Sequence, residues 1–66
     1  MKFGQILREL RLEKDMTQKQ LADVFNVHQT TVKDWELRGC EPSYEILSRL
    51  ANFFGVTADY LLGREK

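Results

Sequence analysis

The 66-residue sequence contains only one cysteine, one histidine and one proline, and it has no long apolar stretch. Its single cysteine, Cys40, forms no disulfide within the chain, and zinc sites ordinarily combine several cysteines or histidines. Apolar runs reach at most three residues, whereas a membrane-spanning helix needs about 20. Charged residues interrupt the N-terminal segment, so no signal peptide is expected. We therefore expect a protein of a reducing cytosol that holds no metal ion and spans no membrane.

The chain also lacks an excess of charge, because its ten Lys and Arg side chains are balanced by ten Asp and Glu side chains. This balance excludes a polybasic tail and a general affinity for nucleic acids or anionic membranes, although it is compatible with a local basic face. The sequence shows no glycine-rich phosphate loop, no metal cluster and no serine–histidine–carboxylate set. We therefore expect a protein that is not an enzyme and that uses no cofactor or small-molecule ligand.

Apolar residues recur at helical spacing along the whole chain, and no stretch shows the alternation of a strand. Sixty-six residues suffice for one small domain, with residues 63–66 as a polar tail or the beginning of a linker. The sequence therefore predicts a single all-α domain. Its five expected helices span residues 2–14, 18–25, 29–37, 44–54 and 58–62.

Residues that favour helix ends stand between these segments. Thr17 and Gln20 have the spacing of a capping box, in which each side chain accepts a hydrogen bond from the backbone N–H of the other residue. Ser43 and Thr57 are expected to cap the fourth and fifth helices. Asn26, which follows the second helix, tolerates the left-handed backbone that a tight turn requires.

The second and third predicted helices are separated by only a short turn. Ala22 is small enough for another helix to approach the middle of the second helix closely, and Asn26 can adopt a positive φ. Val27 and Val32 are placed to hold the two helices together. These details favour a helix-turn-helix, in which the second of the two helices enters the major groove of DNA.

Several motifs closely resemble the Xre/Cro, or lambda-repressor-like, helix-turn-helix family. They are residues 17–22 (TQKQLA), Val27, Val32, residues 35–36 (WE), residues 41–43 (EPS) and residues 54–63 (FGVTADYLLG). The resemblance covers about residues 3–63. It implies a compact five-helix domain that binds specific double-stranded DNA, usually as a dimer on a palindromic operator, in bacterial and phage transcription control.

The chain departs from the family pattern at two places. The turn position that is often glycine is Asn26, which the backbone conformation permits. The glycine usually found three residues after the tryptophan stands one residue later, as Gly39, and Arg38 takes its place. The second departure affects the loop after the third helix, where the family makes contacts to the DNA backbone.

The resemblance implies that the third helix reads bases with its N-terminal half and its outer face. Gln29, Thr30, Lys33 and Asp34 occupy those positions. Glutamine can bond adenine, a threonine methyl can contact the thymine methyl, lysine can reach guanine, and aspartate can accept from cytosine. The alternative is that all four are simply exposed polar residues of a surface helix.

Phosphate contacts are expected around the N-termini of the two helices of the motif and directly after the third helix. Gln18 opens the second helix, whose free N–H groups and partial positive charge suit a phosphate. The other expected phosphate contacts are Thr17, Lys19, His28, Thr31 and Arg38. For Thr17 a role as cap alone is equally compatible with the sequence, and for His28 so is capping or simple solvation.

Two sets of residues are expected to have structural roles. Trp35 packs beneath the third helix, and an inward-facing Glu36 needs a partner, which the resemblance identifies as Arg11. This ion pair would join the first and third helices. In the last helix, Tyr60, Leu61 and Leu62 are candidates for closing the core and also for the dimer contact that the resemblance implies there.

The leading hypothesis is a DNA-binding transcriptional regulator of repressor type, either complete or the N-terminal part of a longer chain. The alternative is a protein-interaction module with the same fold, for example an antitoxin. A polar third helix favours DNA, since Leu37 is the large apolar residue expected to point outward there. Charge neutrality predicts weak non-specific affinity, so two half-sites one helical turn apart are expected, with a shallow salt dependence.

Overall fold

The computed structural model describes residues 2–64 of the chain, and these residues contain five helices and no strand. The helices are α1 (Lys2–Glu13), α2 (Gln18–Phe25), α3 (Gln29–Leu37), α4 (Tyr44–Phe54) and α5 (Ala58–Leu61). The all-α prediction is confirmed, and only α1 and α5 end one residue earlier than expected. In this part of the chain no helix has the length and apolar character needed to cross a bilayer. Of the predicted polar tail, Glu65 and Lys66 lie outside the described residues.

The ends of the helices are set by the residues that the sequence indicated. The Gln20 N–H donates to Thr17 Oγ1 at 3.0 Å, and the Thr17 N–H donates to Gln20 Oε1 at 2.8 Å, which completes the capping box. Ser43 and Thr57 cap α4 and α5 through their side-chain oxygens. Asn26 adopts a left-handed conformation with φ 56° immediately after α2. Each of these features depends on residues at most four apart, which is why local sequence predicts them.

All five helices contribute to one hydrophobic core. Its largest fully buried side chains, Leu7, Leu21, Leu50, Leu61 and Val32, come from five different helices. Burying one such side chain contributes about 1.5–3 kcal/mol relative to leaving it in water. The remaining buried apolar residues are Phe3, Leu10, Ala22, Trp35, Leu47 and Ala51. One face of α3 therefore packs against the core, while the opposite face of α3 is exposed to solvent.

Helix α1 crosses α3 so closely that no side chain fits between the two backbones at Gly4. A Cβ atom added to Gly4 would lie 2.4 Å from the carbonyl oxygen of Glu36 and 2.8 Å from that of Trp35. Both distances are far below van der Waals contact, and the neighbouring atoms are backbone. Sequence analysis attached no role to Gly4, although a glycine inside a helical apolar pattern signals a close approach.

An aromatic cluster joins the C-terminal ends of α2 and α4. The Phe25 and Phe53 rings meet edge to face with centroids 5.7 Å apart, and Phe53 meets Phe54 in the same way at 5.0 Å. The ammonium group of Lys14 lies 5.1 Å from the centroid of the Phe53 ring. These contacts close the end of the core that lies next to the turn between α2 and α3.

Candidate nucleic-acid interface

Helices α2 and α3 are joined by a short turn, residues 26–28. The left-handed Asn26 closes α2 by donating its N–H to Asp23 O at 3.2 Å, and the Val27 N–H donates to Ala22 O at 3.0 Å. Ala22 is buried, as are Leu21 on α2 and Val32 on α3. The predicted helix-turn-helix is therefore present, with small and branched apolar residues at the contact between its helices.

Helix α3 has one buried and one exposed face. Its buried side chains are Val32, Trp35 and Glu36. On the other side lie the predicted base-reading residues, of which Gln29, Thr30 and Lys33 are exposed and Asp34 is half-buried. A helix held by one face while polar donors and acceptors extend from the other has the geometry that major-groove reading requires.

Two of the cations expected to contact phosphate form ion pairs on their own helices. Lys19 Nζ lies 3.5 Å from Asp23 Oδ2 on α2, and Arg38 Nε lies 3.7 Å from Asp34 Oδ1 at the end of α3. The side chains of Lys19, Asp23 and Arg38 are largely exposed and that of Asp34 is half-buried. Pairs of this kind are worth little in water, so neither carboxylate holds its cation strongly. Lys33 forms no ion pair with any residue that the structure describes.

The remaining predicted phosphate contacts stand at the starts of the two helices. Thr17 is exposed and uses its hydroxyl oxygen as the cap of α2, which leaves the hydroxyl hydrogen free to donate. His28 occupies the N-cap position of α3, which is the place considered for it, but its side chain makes no capping hydrogen bond. Its carbonyl oxygen accepts instead from the N–H of the half-buried Thr31 at 2.9 Å. Contacts of these three residues with phosphate stay predictions.

A buried ion pair between Arg11 and Glu36 joins α1 to α3. Arg11 Nε donates to Glu36 Oε2 at 2.7 Å, and Arg11 Nη2 donates to Glu36 Oε1 at 3.1 Å. The Glu36 side chain is fully buried, so the cost of removing its charge from water is offset by this bidentate geometry. Arg11 Nη1 also donates to Met16 O at 2.7 Å, which ties the segment before α2 to the same pair.

Gln18 is bonded to this ion pair, a contact that sequence analysis missed. Its Nε2 donates to Glu36 Oε1 at 3.1 Å, although the sequence placed Gln18 only at the DNA backbone. The available signal was the carboxylate itself, because bidentate pairing with one arginine fills only about two of its roughly four lone-pair sites and leaves room for a further donor. With this bond included, none of the buried side-chain nitrogen or oxygen atoms in residues 2–64 lacks a hydrogen-bond partner.

In α5 and the residue after it, the structure separates the three candidates for core closure and dimer contact. Leu61 is fully buried, so the proposed dimer contact through Leu61 is wrong. Leu62 is half-buried and packs against the core. Tyr60 is 42% exposed, so of these three residues it offers the most surface to a partner.

The sequence profile of a helix-turn-helix family matches residues 7–61, most of the chain and all of the α2–α3 unit. The chain belongs to the Xre, or lambda-repressor-like, helix-turn-helix family. Members of this family are DNA-binding transcription regulators of bacteria and phages.

Several curated members of the family are similar to this chain. HTH-type transcriptional activator BcrR of Enterococcus faecalis is 39% identical over all 66 residues, which cover 32% of that protein. HTH-type transcriptional regulator ImmR of Bacillus subtilis is 32% identical over the same 66 residues, which cover 52% of it. The cryptic phage CTXphi transcriptional repressor RstR of Vibrio cholerae is 33% identical over 54 residues, 82% of this chain and 49% of that one. The chain thus spans about a third to a half of the length of these relatives.

The loop after α3, where this chain departs from the Xre family pattern, has a simple local conformation. Helix α3 ends at Leu37, and Arg38 follows as a C-cap whose N–H donates to Asp34 O at 3.0 Å. Gly39 then adopts a positive φ of 66°. A left-handed glycine two residues after the last helical residue is a common helix ending, so the shifted glycine terminates α3 without strain.

Proposed function

We propose that this chain is the DNA-binding domain of a bacterial transcriptional repressor that inserts α3 into the major groove. The observation that carries the proposal is the division of α3 into two faces. Gln29, Thr30 and Lys33 extend into solvent, while Trp35 and the Arg11–Glu36 pair hold the opposite face. Such a helix keeps its donors and acceptors in fixed positions relative to the rest of the domain, and base-specific hydrogen bonding requires fixed positions. A bacterial DNA-binding domain acts in the cytosol, because the bacterial chromosome is there.

Charge supports a dimer on a two-fold operator. Between Thr17 and Arg38 the three cations are opposed by three carboxylates, one of which, Glu36, is neutralised by Arg11. The remaining excess of one positive charge supplies little non-specific affinity per domain. Two domains on half-sites about 34 Å apart would each add their own contacts, and the partly exposed Tyr60 is the candidate contact between them.

Repression is the regulatory effect that needs the fewest additional surfaces. A domain that occupies an operator overlapping a promoter blocks transcription through DNA binding alone, whereas activation requires a further contact with the transcription machinery. The curated relatives include both a named activator and a named repressor. Repression is tested with a reporter gene placed behind the operator that is selected from genomic DNA as described below. Increased expression in the presence of the protein would contradict repression.

The proposal is tested by selecting fragments of bacterial genomic DNA on the purified protein. We expect a palindromic sequence, bound with a shallow salt dependence, and we expect Gln29→Ala to lose the preference for one base pair in each half-site. Gln5→Ala is the matched control, because Gln5 is an exposed glutamine on α1. A salt slope near zero would contradict the proposed phosphate contacts.

A second candidate function, a protein-interaction module, is favoured by two exposed apolar side chains, one at the end of α3 and one at the start of α4. Leu37 is 68% exposed and Tyr44, at the start of α4, is 80% exposed. If the folded domain enriches no DNA sequence, this candidate replaces the first. Retention of sequence preference by a Leu37→Ser variant would favour DNA.

A further inference from the structure

The hydrogen bond between Gln18 and Glu36 determines which way the Gln18 amide faces. An ionised carboxylate only accepts hydrogen bonds, so the atom that approaches Glu36 Oε1 at 3.1 Å must be the amide nitrogen of Gln18. Arg11 fixes the position of the Glu36 carboxylate, since it donates to both carboxylate oxygens. The orientation of the Gln18 amide therefore follows from the chemistry of its partner.

The remaining donor of Gln18 is free for a ligand. Gln18 is half-buried at the first position of α2, and no residue within 2–64 bonds its Oε1 or its second Nε2 hydrogen. A phosphate oxygen only accepts hydrogen bonds, so the amide can bind a phosphate through nitrogen and not through oxygen. A rotated amide would present its oxygen to the phosphate and repel it.

We propose that Glu36 is a positioning residue for DNA binding, one that holds the Gln18 amide so that its second N–H meets a phosphate oxygen. The proposal rests on the DNA-binding function proposed above. One amide nitrogen then bridges a buried carboxylate and the DNA backbone. Through Glu36, α3 is linked to the residue by which α2 contacts the DNA backbone. Arg11 is required as well, because its charge cancels that of Glu36, which would otherwise repel the phosphate.

A purely structural Glu36 and a positioning Glu36 differ in how they couple to Gln18. If Glu36 only stabilises the fold, replacing Gln18 weakens DNA binding by the same factor whatever residue stands at position 36. If Glu36 orients the amide, the contribution of Gln18 disappears when Glu36 is replaced. Glu36→Gln distinguishes the two cases because the new glutamine can turn its amide nitrogen toward Gln18. The Gln18 amide would then reverse, with its oxygen facing position 36.

The test is a double-mutant cycle of Gln18→Met and Glu36→Gln, with binding measured on the duplex recovered by genomic selection. All variants are compared at one salt concentration and below the unfolding transition of the least stable one. We expect Gln18→Met to raise Kd about tenfold or more in the wild-type background, as loss of a hydrogen bond to a charged group predicts. In the Glu36→Gln background we expect less than a threefold change, roughly the effect of a weak neutral contact. Equal factors in the two backgrounds would overturn the positioning role.

Gln5→Met provides the control, since Gln5 is exposed on α1 and should show no coupling to position 36. If Glu36→Gln does not fold, the Gln18 side-chain amide signals of the wild-type protein are followed by NMR as DNA is added. We expect one amide proton to be shifted already in the free protein and the second to shift on binding. A first proton that returns to its ordinary position on binding would overturn the proposal. A folded protein that binds no DNA would refute the proposed function itself, whereas binding without coupling refutes only the positioning role.

Discussion

Glu36 and Lys33 lie on the same helix three residues apart, yet their surroundings are opposite. Glu36 is buried and bonded to Arg11 and Gln18, whereas Lys33 is exposed and has no ion pair within residues 2–64. Changing Glu36 alters interactions with two other helices, α1 and α2, and changing Lys33 alters only what α3 presents to solvent. Stability and proposed base specificity are therefore carried by separate faces of α3, so base specificity can change while the stability of the fold is kept.

The largest effect is expected where the buried face is broken. Glu36→Ala leaves the guanidinium of Arg11 buried without its counter-charge and removes the partner of Gln18. Such a loss costs about 3–5 kcal/mol, which is comparable to the whole stability of a domain of this size. We expect the variant to be mostly unfolded at 25 °C by circular dichroism and urea denaturation.

Glu41→Ala is the matched control for that experiment, because Glu41 is exposed in the loop before α4. Its stability should stay within about 0.5 kcal/mol of the wild type. An unfolding free energy of Glu36→Ala that falls by less than about 1 kcal/mol would mean that the buried pair contributes little net stability.

The next largest effect concerns the contact of α1 with α3. Gly4→Ala places a methyl group 2.4 Å from the carbonyl oxygen of Glu36, so the two helices must separate. Alanine favours a helix by about 1 kcal/mol over glycine, but the overpacking exceeds this gain, and we expect a net loss of about 1–3 kcal/mol in urea denaturation. Gln5→Ala, on the exposed side of α1, should be neutral. A stabilised Gly4→Ala would show that the helix contact adapts easily.

A change on the exposed face should leave the fold intact and act on DNA alone. We expect Lys33→Ala to alter the unfolding free energy by less than about 0.5 kcal/mol and to lower discrimination at one base pair by about 1–3 kcal/mol. Competition binding with single-base variants of the selected duplex measures this. Arg8→Ala, on the exposed side of α1, removes the same charge as a control. Equal weakening on every duplex by Lys33→Ala would make Lys33 a phosphate contact instead.

The smallest effect is expected at the surface ion pairs. Asp23→Asn removes the carboxylate that lies 3.5 Å from Lys19 Nζ, and exposed pairs of this kind contribute little to stability. With Lys19 released, the slope of log K against log salt concentration should steepen by about one unit for each phosphate newly contacted. Glu9→Gln makes the same charge change on α1. The same slope in both variants would show that only net charge matters.

Much of the fold was predictable because its boundaries depend on neighbouring residues. Thr17, Ser43 and Thr57 each cap a helix through a bond to the N–H three residues ahead. Asn26 closes α2 in a left-handed conformation, which its short polar side chain tolerates better than most others. The pairing of Arg11 with Glu36 was expected from the family resemblance, and the structure contains it.

What the sequence left open depends on contacts between residues far apart in the chain. A glycine at position 4 allows a close approach but does not identify the carbonyl oxygen 32 positions later that lies against it, and nothing near Gln18 indicates that its amide will reach α3. In the same way, the sequence did not divide Tyr60, Leu61 and Leu62 between core closure and the dimer contact that the family resemblance implies, whereas packing buries Leu61 completely.

Short-range rules therefore account for the five helices, their caps and the sharp turn between α2 and α3, because the hydrogen bonds and backbone preferences involved lie within a few residues. Tertiary packing accounts for the rest: how closely α1 approaches α3, which way the Gln18 amide faces, and which side chains α5 leaves at the surface. The physical reason is that burial and hydrogen bonding across helices depend on their relative positions in space, which emerge only when all five helices close one core.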